Sequence, residues 1–350
     1  MMNVRRFAVM RIAFCFLLLA RALPAIAGEL EERDEITEKS RMLFREERFA
    51  DIEAIADDFR AHNSRTSSGL WKIGLLHDGL DGDFLRKNRD ERYWAGLTAK
   101  VSRWIDAFPN SPTPRILYAH VLSAHGWAIR GGAWARDVHE EDWAPFHRLI
   151  GEARAYLLAH KEIGKADPQW YEQMLELARV DGSTPDEFGV LVDEATWKYP
   201  DYYPNYFATI LYLQPRWHGD LAAIEEFANR AVRKTREIEG DSMYARIYWY
   251  ASQLQYGERL FQDTSVAWPK MKRGIVDVLK RYPDQWNINN FAHFACLAGD
   301  REETAHLTAR VTEPISEAWA KDATLFSRCR DWANAADTSA PPPIAKVDHA

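Results

Sequence analysis

Among the places where arginine stands near tryptophan in this chain, three stand out, a pairing suited to holding a ligand rather than to breaking a bond. The first is Trp127-Ala128-Ile129-Arg130-Gly131-Gly132, which continues through Arg136 and Asp137 to Trp143 and Phe146. A guanidinium grips an acidic group through two parallel N–H bonds, and paired glycines let the backbone turn sharply or approach a partner. The same residues suit better still a plain helix-connecting loop, which a helical array needs in any case, with the arginines on helix-end carbonyls and both tryptophans in the core. The second place is Leu213-Gln214-Pro215-Arg216-Trp217-His218-Gly219. Proline stops the preceding helix, and Arg216 and Trp217 occupy a tight corner. A cation on that indole face contributes about 0.5–2 kcal/mol, either as binding apparatus or as a rigid corner fixing one helix pair on the next. The third is Tyr244-Ala245-Arg246-Ile247-Tyr248-Trp249-Tyr250. At helical spacing Tyr244, Ile247, Tyr248 and Ala251 share a core face, and Arg246, Trp249 and Tyr250 fall on the other side. That side is a recognition patch if it lines a groove and packing if it meets the next repeat. The candidate partner-binding residues are therefore Trp127, Arg130, Gly131, Gly132, Arg216, Trp217, Arg246 and Trp249.

Sequence signatures of catalysis are missing. The chain has no Gly-rich phosphate loop, no Cys-x-x-Cys pair, no His-Glu-x-x-His helix and no Gly-x-Ser-x-Gly elbow. His139-Glu140-Glu141 has no second histidine one turn later, and His120 and His125 are too far out of phase to share a helix face. The expectation is thus no catalytic residue, no metal site and no cofactor. Fourteen tryptophans serve mainly as packing wedges, but a few in a groove could stack on sugars. That leaves a glycan-binding alternative, and with it an enzyme acting on envelope polysaccharide in an α/α toroid. Glu140, Glu141 and Asp142 are the obvious acids for it, although such a cluster after a loop usually opens a helix in water. A glycosidase also needs two carboxyls converging at about 5–9.5 Å.

The elements that must position these residues are helices. Phe49, Ile52, Ile55, Ala56 and Phe59 recur at three- and four-residue intervals, as do Ile224, Phe227, Ala228, Ala231 and Thr235. No alternating stretch bounded by turn residues suggests a strand. Three segments share a layout: Phe108-Pro109 to Gly126, Tyr199-Pro200 to Gly219, and Tyr282-Pro283 to Gly299. In each, proline ends a helix by disfavouring helical geometry in the residue before it, an apolar helix follows, and a glycine is expected to turn the chain. Asp167-Pro168 to Gly182 is a fourth copy without the aromatic. Units of this kind bury their apolar faces by stacking. The pattern predicts an all-α fold, a tetratricopeptide-like α-α superhelix of degenerate helix-turn-helix repeats, in one domain over 28–334. A closing helix is expected over 315–334. Cys296 and Cys329 fall on neighbouring predicted helices, where they either pair or remain two buried thiols.

At the three arginine-tryptophan places the chain resembles a family of bacterial proteins known as a domain of unknown function. That family carries Trp-x-x-Arg-Gly-Gly, a Pro-Arg-Trp-x-Gly corner and Tyr-Ala-Arg-x-Tyr-Trp on a tetratricopeptide-like scaffold. Here these are Trp127 to Gly132, Pro215 to Gly219 and Tyr244 to Trp249, and Asp167-Pro168-x-Trp170-Tyr171 resembles a further element. The resemblance spans roughly residues 45–310. It implies the helical scaffold and assigns no activity. Ala133-Trp134 departs from the pattern, which has smaller residues after the double glycine.

The first residues read as an export signal. Arg5, Arg6 and Arg11 precede an apolar stretch, Ile12 to Ala20, and Pro24 leads into Ala25-Ile26-Ala27. This order predicts a signal peptide over 1–27 and a periplasmic or secreted protein. The apolar run falls short of the about 20 residues that span a bilayer, so no membrane span is expected after cleavage. Removal of four arginines and no acids takes the net charge from −7 to −11 (41 basic, 52 acidic). Such an acidic chain is poorly suited to nucleic acid, which demands many Lys and Arg contacts to phosphate. From Asp337 the tail contains Pro341-Pro342-Pro343, and 335–350 is expected to be disordered. The leading functional expectation is an exported binding or scaffolding protein that holds a protein or peptide partner on a concave helical surface.

Overall fold

The computed structural model describes residues 28–336 and Pro342. The expected signal segment lies outside these residues, as does nearly all of the expected disordered tail. In chain order the helices are α1 (Glu29–Arg45), α2 (Phe49–His62), α3 (Lys72–Leu80), α4 (Glu91–Ala107), α5 (Pro112–Arg130), α6 (Glu140–Ala159), α7 (Lys161–Gly164), α8 (Gln169–Ala178) and α9 (Pro185–Lys198). They continue as α10 (Tyr203–Tyr212), α11 (Leu221–Glu239), α12 (Ser242–Ala251), α13 (Leu260–Asp263), α14 (Trp268–Arg281), α15 (Gln285–Leu297), α16 (Arg301–Thr308) and α17 (Leu325–Asn334). The fold is all-α. Among the described residues the only β pairing is an isolated bridge between Arg65 and Trp71. No described helix is long and apolar enough to cross a membrane.

The aromatic-proline junctions act as read from the sequence. Phe108, Tyr199 and Tyr282 end α4, α9 and α14 with nearly the same backbone angles, φ −131, −129 and −130 with ψ 68, 72 and 72. Proline next in the chain excludes helix at each of them. Two of the helices that follow are capped by a side chain: Ser111 accepts from the Thr113 N–H and Asp284 from the Trp286 N–H. The expected turn at Gly126 is not one. Gly126 lies inside α5, where Phe146 and Leu149 of α6 pack 3.4 Å from where a Cβ would sit. The chain turns instead at Gly131, whose φ of 73 favours glycine. The expected helix over 315–334 is also interrupted. A short 3₁₀ turn at Ser316–Trp319 precedes α17, because Ala320 and Lys321 adopt positive φ. Cys296 and Cys329 are joined, with their Cα atoms 5.9 Å apart.

Two apolar clusters share α5 as their wall. Leu117, Val121, Ala124 and Ala128 belong to the N-terminal core, and Ile116 and Ala119 to the larger core that runs to Ala333. The loop after α2 links the distant parts of the chain. Arg65 pairs with Asp201, Ser67 Oγ donates to Asp284 (2.8 Å), and the Ser68 carbonyl accepts from Arg246 and Asn287, both at 3.2 Å. Buried Glu29 holds the same loop, accepting from the Ser68 amide (2.7 Å) and the Thr66 hydroxyl (2.8 Å). The N-terminal helices are thereby tied to the C-terminal third.

Candidate functional site

On α5, His120, Ala124 and Trp127 follow one another at four- and three-residue steps, so they share one face. On α8 and just beyond it, Gln173, Glu176, Leu177 and Val180 do the same. These two faces line a cleft of about 160 Å³, with Arg86 and Arg179 also on its walls. The register of α8 is fixed from beneath. Asp167 is fully buried, accepts the Gln169 N–H at the helix start (2.9 Å) and pairs with Arg60 of α2 (2.8 Å) and His77 of α3 (3.3 Å).

One end of the cleft is basic and aromatic. The Arg179 guanidinium lies 4.2 Å from the Trp217 ring centre and 5.9 Å from that of Trp127. Arg130 lies 5.1 Å from Trp127 and 5.1 Å from Trp143. The first two arginine-tryptophan motifs therefore meet through Arg179, and Trp217 carries Arg179 rather than its neighbour Arg216. Burial pushes the Arg179 guanidinium below its ordinary value; Glu176 opposes this, and the positive charges of Arg216 and Arg130 reinforce it. Among the described residues none of Arg130, Arg179 and Arg216 has a carboxylate within ion-pair distance, although Arg130 Nη1 donates to the carbonyls of Gly131 (2.9 Å) and Ala133 (3.2 Å). Arg179 Nε and Trp217 Nε1 are buried without an acceptor.

Glu176 is the acid on the cleft wall, and Asp78 and Glu172 lie close to it. Burial and the charges of Asp81 and Glu176 push the Asp78 carboxyl up to about 6, with His77 and His120 partly offsetting them. Asp78 is itself exposed to solvent on α3 and lies close to Glu176 of the cleft wall. Burial, then Glu176 and Asp78, hold Glu172 well above the ordinary carboxylate range. The Tyr202 hydroxyl sits 2.6 Å from Gln169 Oε1 and 3.0 Å from Glu172 Oε2. It donates to the amide oxygen and is placed to accept from a protonated Glu172. His120 is engaged at both nitrogens, by Asp81 (2.9 Å) and Gln173 (2.8 Å). Burial disfavours its charged form, but the Asp81 contact outweighs that and raises its pKa. Asp78 and Glu176 have no hydrogen-bond or ion-pair partner among the described residues. Half-buried Tyr250 feels Glu172 and Glu176 as well as Arg179 and Arg216.

The remaining candidates from the sequence lie elsewhere. Arg246 is 3 % exposed, lies on the rings of Tyr203 (4.0 Å) and Tyr282 (5.5 Å) and donates to Ser68. Trp249 is half-buried against Trp286 and Phe291. Gly131 and Gly132 form the turn after α5, and a Cβ on either would meet nothing within 4 Å. Glu140, Glu141 and Asp142 make the first turn of α6, where Asp142 pairs with Arg89. Glu176 on the cleft wall and its neighbours Asp78 and Glu172 were missed because α3 and α8 are distant in sequence and these acids belong to no motif. Arg179 was missed because it closes α8 with no tryptophan beside it in the chain. Among the described residues no group of three or more His, Cys, Asp or Glu is arranged to hold a metal ion. A second cleft, of about 250 Å³ beside α11 and α14, has Arg236 and Arg273 paired with Asp241 and Lys270 paired with Glu225.

Comparison with known proteins returned no match to the chain, from family models, curated proteins or solved structures.

Proposed function

We propose that this chain is an exported, tetratricopeptide-like binding protein whose inner cleft holds a peptide segment of a partner protein. One observation carries the reading: groups of both signs, each lacking an ionic partner from the chain, stand at the same cleft. Arg179 and Glu176 line it, Arg216 lies close to Arg179, and Asp78 lies close to Glu176. Elsewhere the chain pairs charge freely, as at Arg60–Asp167 and Arg281–Glu239. Half-buried Arg179 and Glu176 are costly to leave without partners, and a peptide bearing an acidic and a basic side chain supplies complements to both signs. Half-buried Trp127, Trp217 and Tyr250 add apolar contact suited to the carbon skeleton of such a segment.

The test is selection of displayed random dodecapeptides on the purified protein, repeated on Arg216→Glu and on a control, Val276→Glu, on the exposed face of α14. Sequences retained by the native chain and the control and lost by Arg216→Glu support the reading. Equal retention by all three, or no enrichment at all, removes it.

A second reading rests on the raised carboxyls. Asp78 at about 6 and Glu172 well above the usual range are suited to protonating a leaving-group oxygen, which would make the cleft that of an enzyme acting on envelope polysaccharide. Release of reducing ends from envelope glycan by the native chain, abolished in Glu172→Gln, supports it. Absence of release by the native chain excludes it.

A further inference from the structure

We propose that Arg130, Arg179 and Arg216, with the indoles of Trp127 and Trp217 among them, form a carboxylate subsite that takes an Asp or Glu side chain of the bound peptide. The inference rests on the peptide-binding reading above and specifies what its basic end recognises.

The geometry is that of a prepared anion site. A guanidinium lying on an indole face keeps its in-plane N–H donors free for a second partner, and that fork matches a carboxylate. Arg179, 4.2 Å from the Trp217 ring, is so placed, and it lines the cleft directly. Arg216 is exposed beside it and Arg130 shares the Trp127 ring. Of Arg130, only Nη1 is committed, to two loop carbonyls. The other cationic side chains on the cleft wall, Arg86 and His120, are both bound to Asp81. The unpaired positive charge is thus confined to one end. Two donors there, Arg179 Nε and Trp217 Nε1, lack any acceptor, a condition that costs free energy in a buried setting. An incoming anion relieves the mutual repulsion of the three arginines.

The neighbouring acid selects the kind of anion. Glu176 stands close enough to influence both Arg179 and Tyr250. A phosphate dianion would meet the repulsion of Glu176 twice over, whereas a carboxylate brings a single charge. A planar monoanion also fits the guanidinium fork without leaving further oxygens unpaired.

The test uses fluorescein-labelled peptides enriched by the selection described above, with each Asp or Glu replaced in turn by Asn or Gln. Binding is measured by anisotropy to the native chain, to Arg179→Lys, which keeps charge but loses the fork, and to Arg216→Gln, an exposed change that leaves the fold intact. One amide replacement is expected to weaken native binding by about tenfold or more. In either variant the same replacement is expected to cost less than about twofold. Peptides that bind with no sensitivity to amide replacement, or whose sensitivity persists in both variants, overturn the subsite and leave the cleft reading standing. Failure of any peptide to bind the native chain overturns the cleft reading itself.

Discussion

Replacing Arg246 by methionine tests whether this residue belongs to the fold or to the binding surface. The side chain is 3 % exposed, lies 4.0 Å from the Tyr203 ring centre and 5.5 Å from that of Tyr282, and donates to the Ser68 carbonyl at 3.2 Å. A desolvated cation–π contact contributes about 2 kcal/mol, and a hydrogen bond to a charged donor about 1.5–3 kcal/mol. Methionine retains much of the apolar packing and removes the cost of a buried charge, which returns about 2 kcal/mol of that sum. The Ser68 carbonyl keeps its bond from Asn287 (3.2 Å), so no acceptor is orphaned. The net expectation is a loss of about 2 kcal/mol in urea unfolding, with Tm lowered by about 4 °C for a chain of this size. Because Arg246 anchors the loop that follows α2, amide exchange over residues 64–71 should quicken by about 30-fold, while exchange in α5 and α8 changes little. Peptide binding at the cleft should persist. Unchanged or higher stability together with unchanged loop exchange would refute the claim that Arg246 ties the two parts of the chain.

Three other perturbations probe the framework. The Asp78 carboxyl is raised to about 6 from 3.8, so the folded chain holds this proton more tightly than the unfolded chain. Stability from this group is therefore full below pH 3.8 and lost as pH rises through 6. Asp78→Asn should accordingly raise Tm at pH 7.5 and leave it unchanged near pH 3.5, as read by thermal unfolding across pH. The Cys296–Cys329 bond closes a separation of 33 residues, and converting both to alanine should cost about 3–4 kcal/mol in urea titration under non-reducing conditions. Gly219→Ala would place a Cβ 2.4 Å from the Leu213 carbonyl oxygen. That change should cost about 1–3 kcal/mol in the same assay and weaken peptide binding by shifting Trp217.

The fold class was legible because helical periodicity and proline junctions are local signals. Phe108, Tyr199 and Tyr282 end their helices as read, with the same backbone angles. Gly126 misled because a glycine permits a close helix contact as well as a turn, and only the packing of Phe146 and Leu149 tells the two apart. For the cleft, Trp127, Arg130, Arg216 and Trp217 were legible as paired residue types along the chain. Their joining residue, Arg179, and the acids Asp78, Glu172 and Glu176 were not, because long-range packing alone brings α3, α5 and α8 together. Arg246 carries the same residue types as the other two motifs, but its surroundings are set by a loop 178 positions away. Such a contact leaves no trace in local spacing.

Hydrogen exchange of the protein with and without a selected peptide locates the bound segment. Binding in the cleft slows exchange at 120–130, 172–180 and 214–219, with no change on α9 around exposed Val190 and Trp197. Slowing confined to α9 or to the outer face of α14, with the cleft segments unaffected, would contradict it.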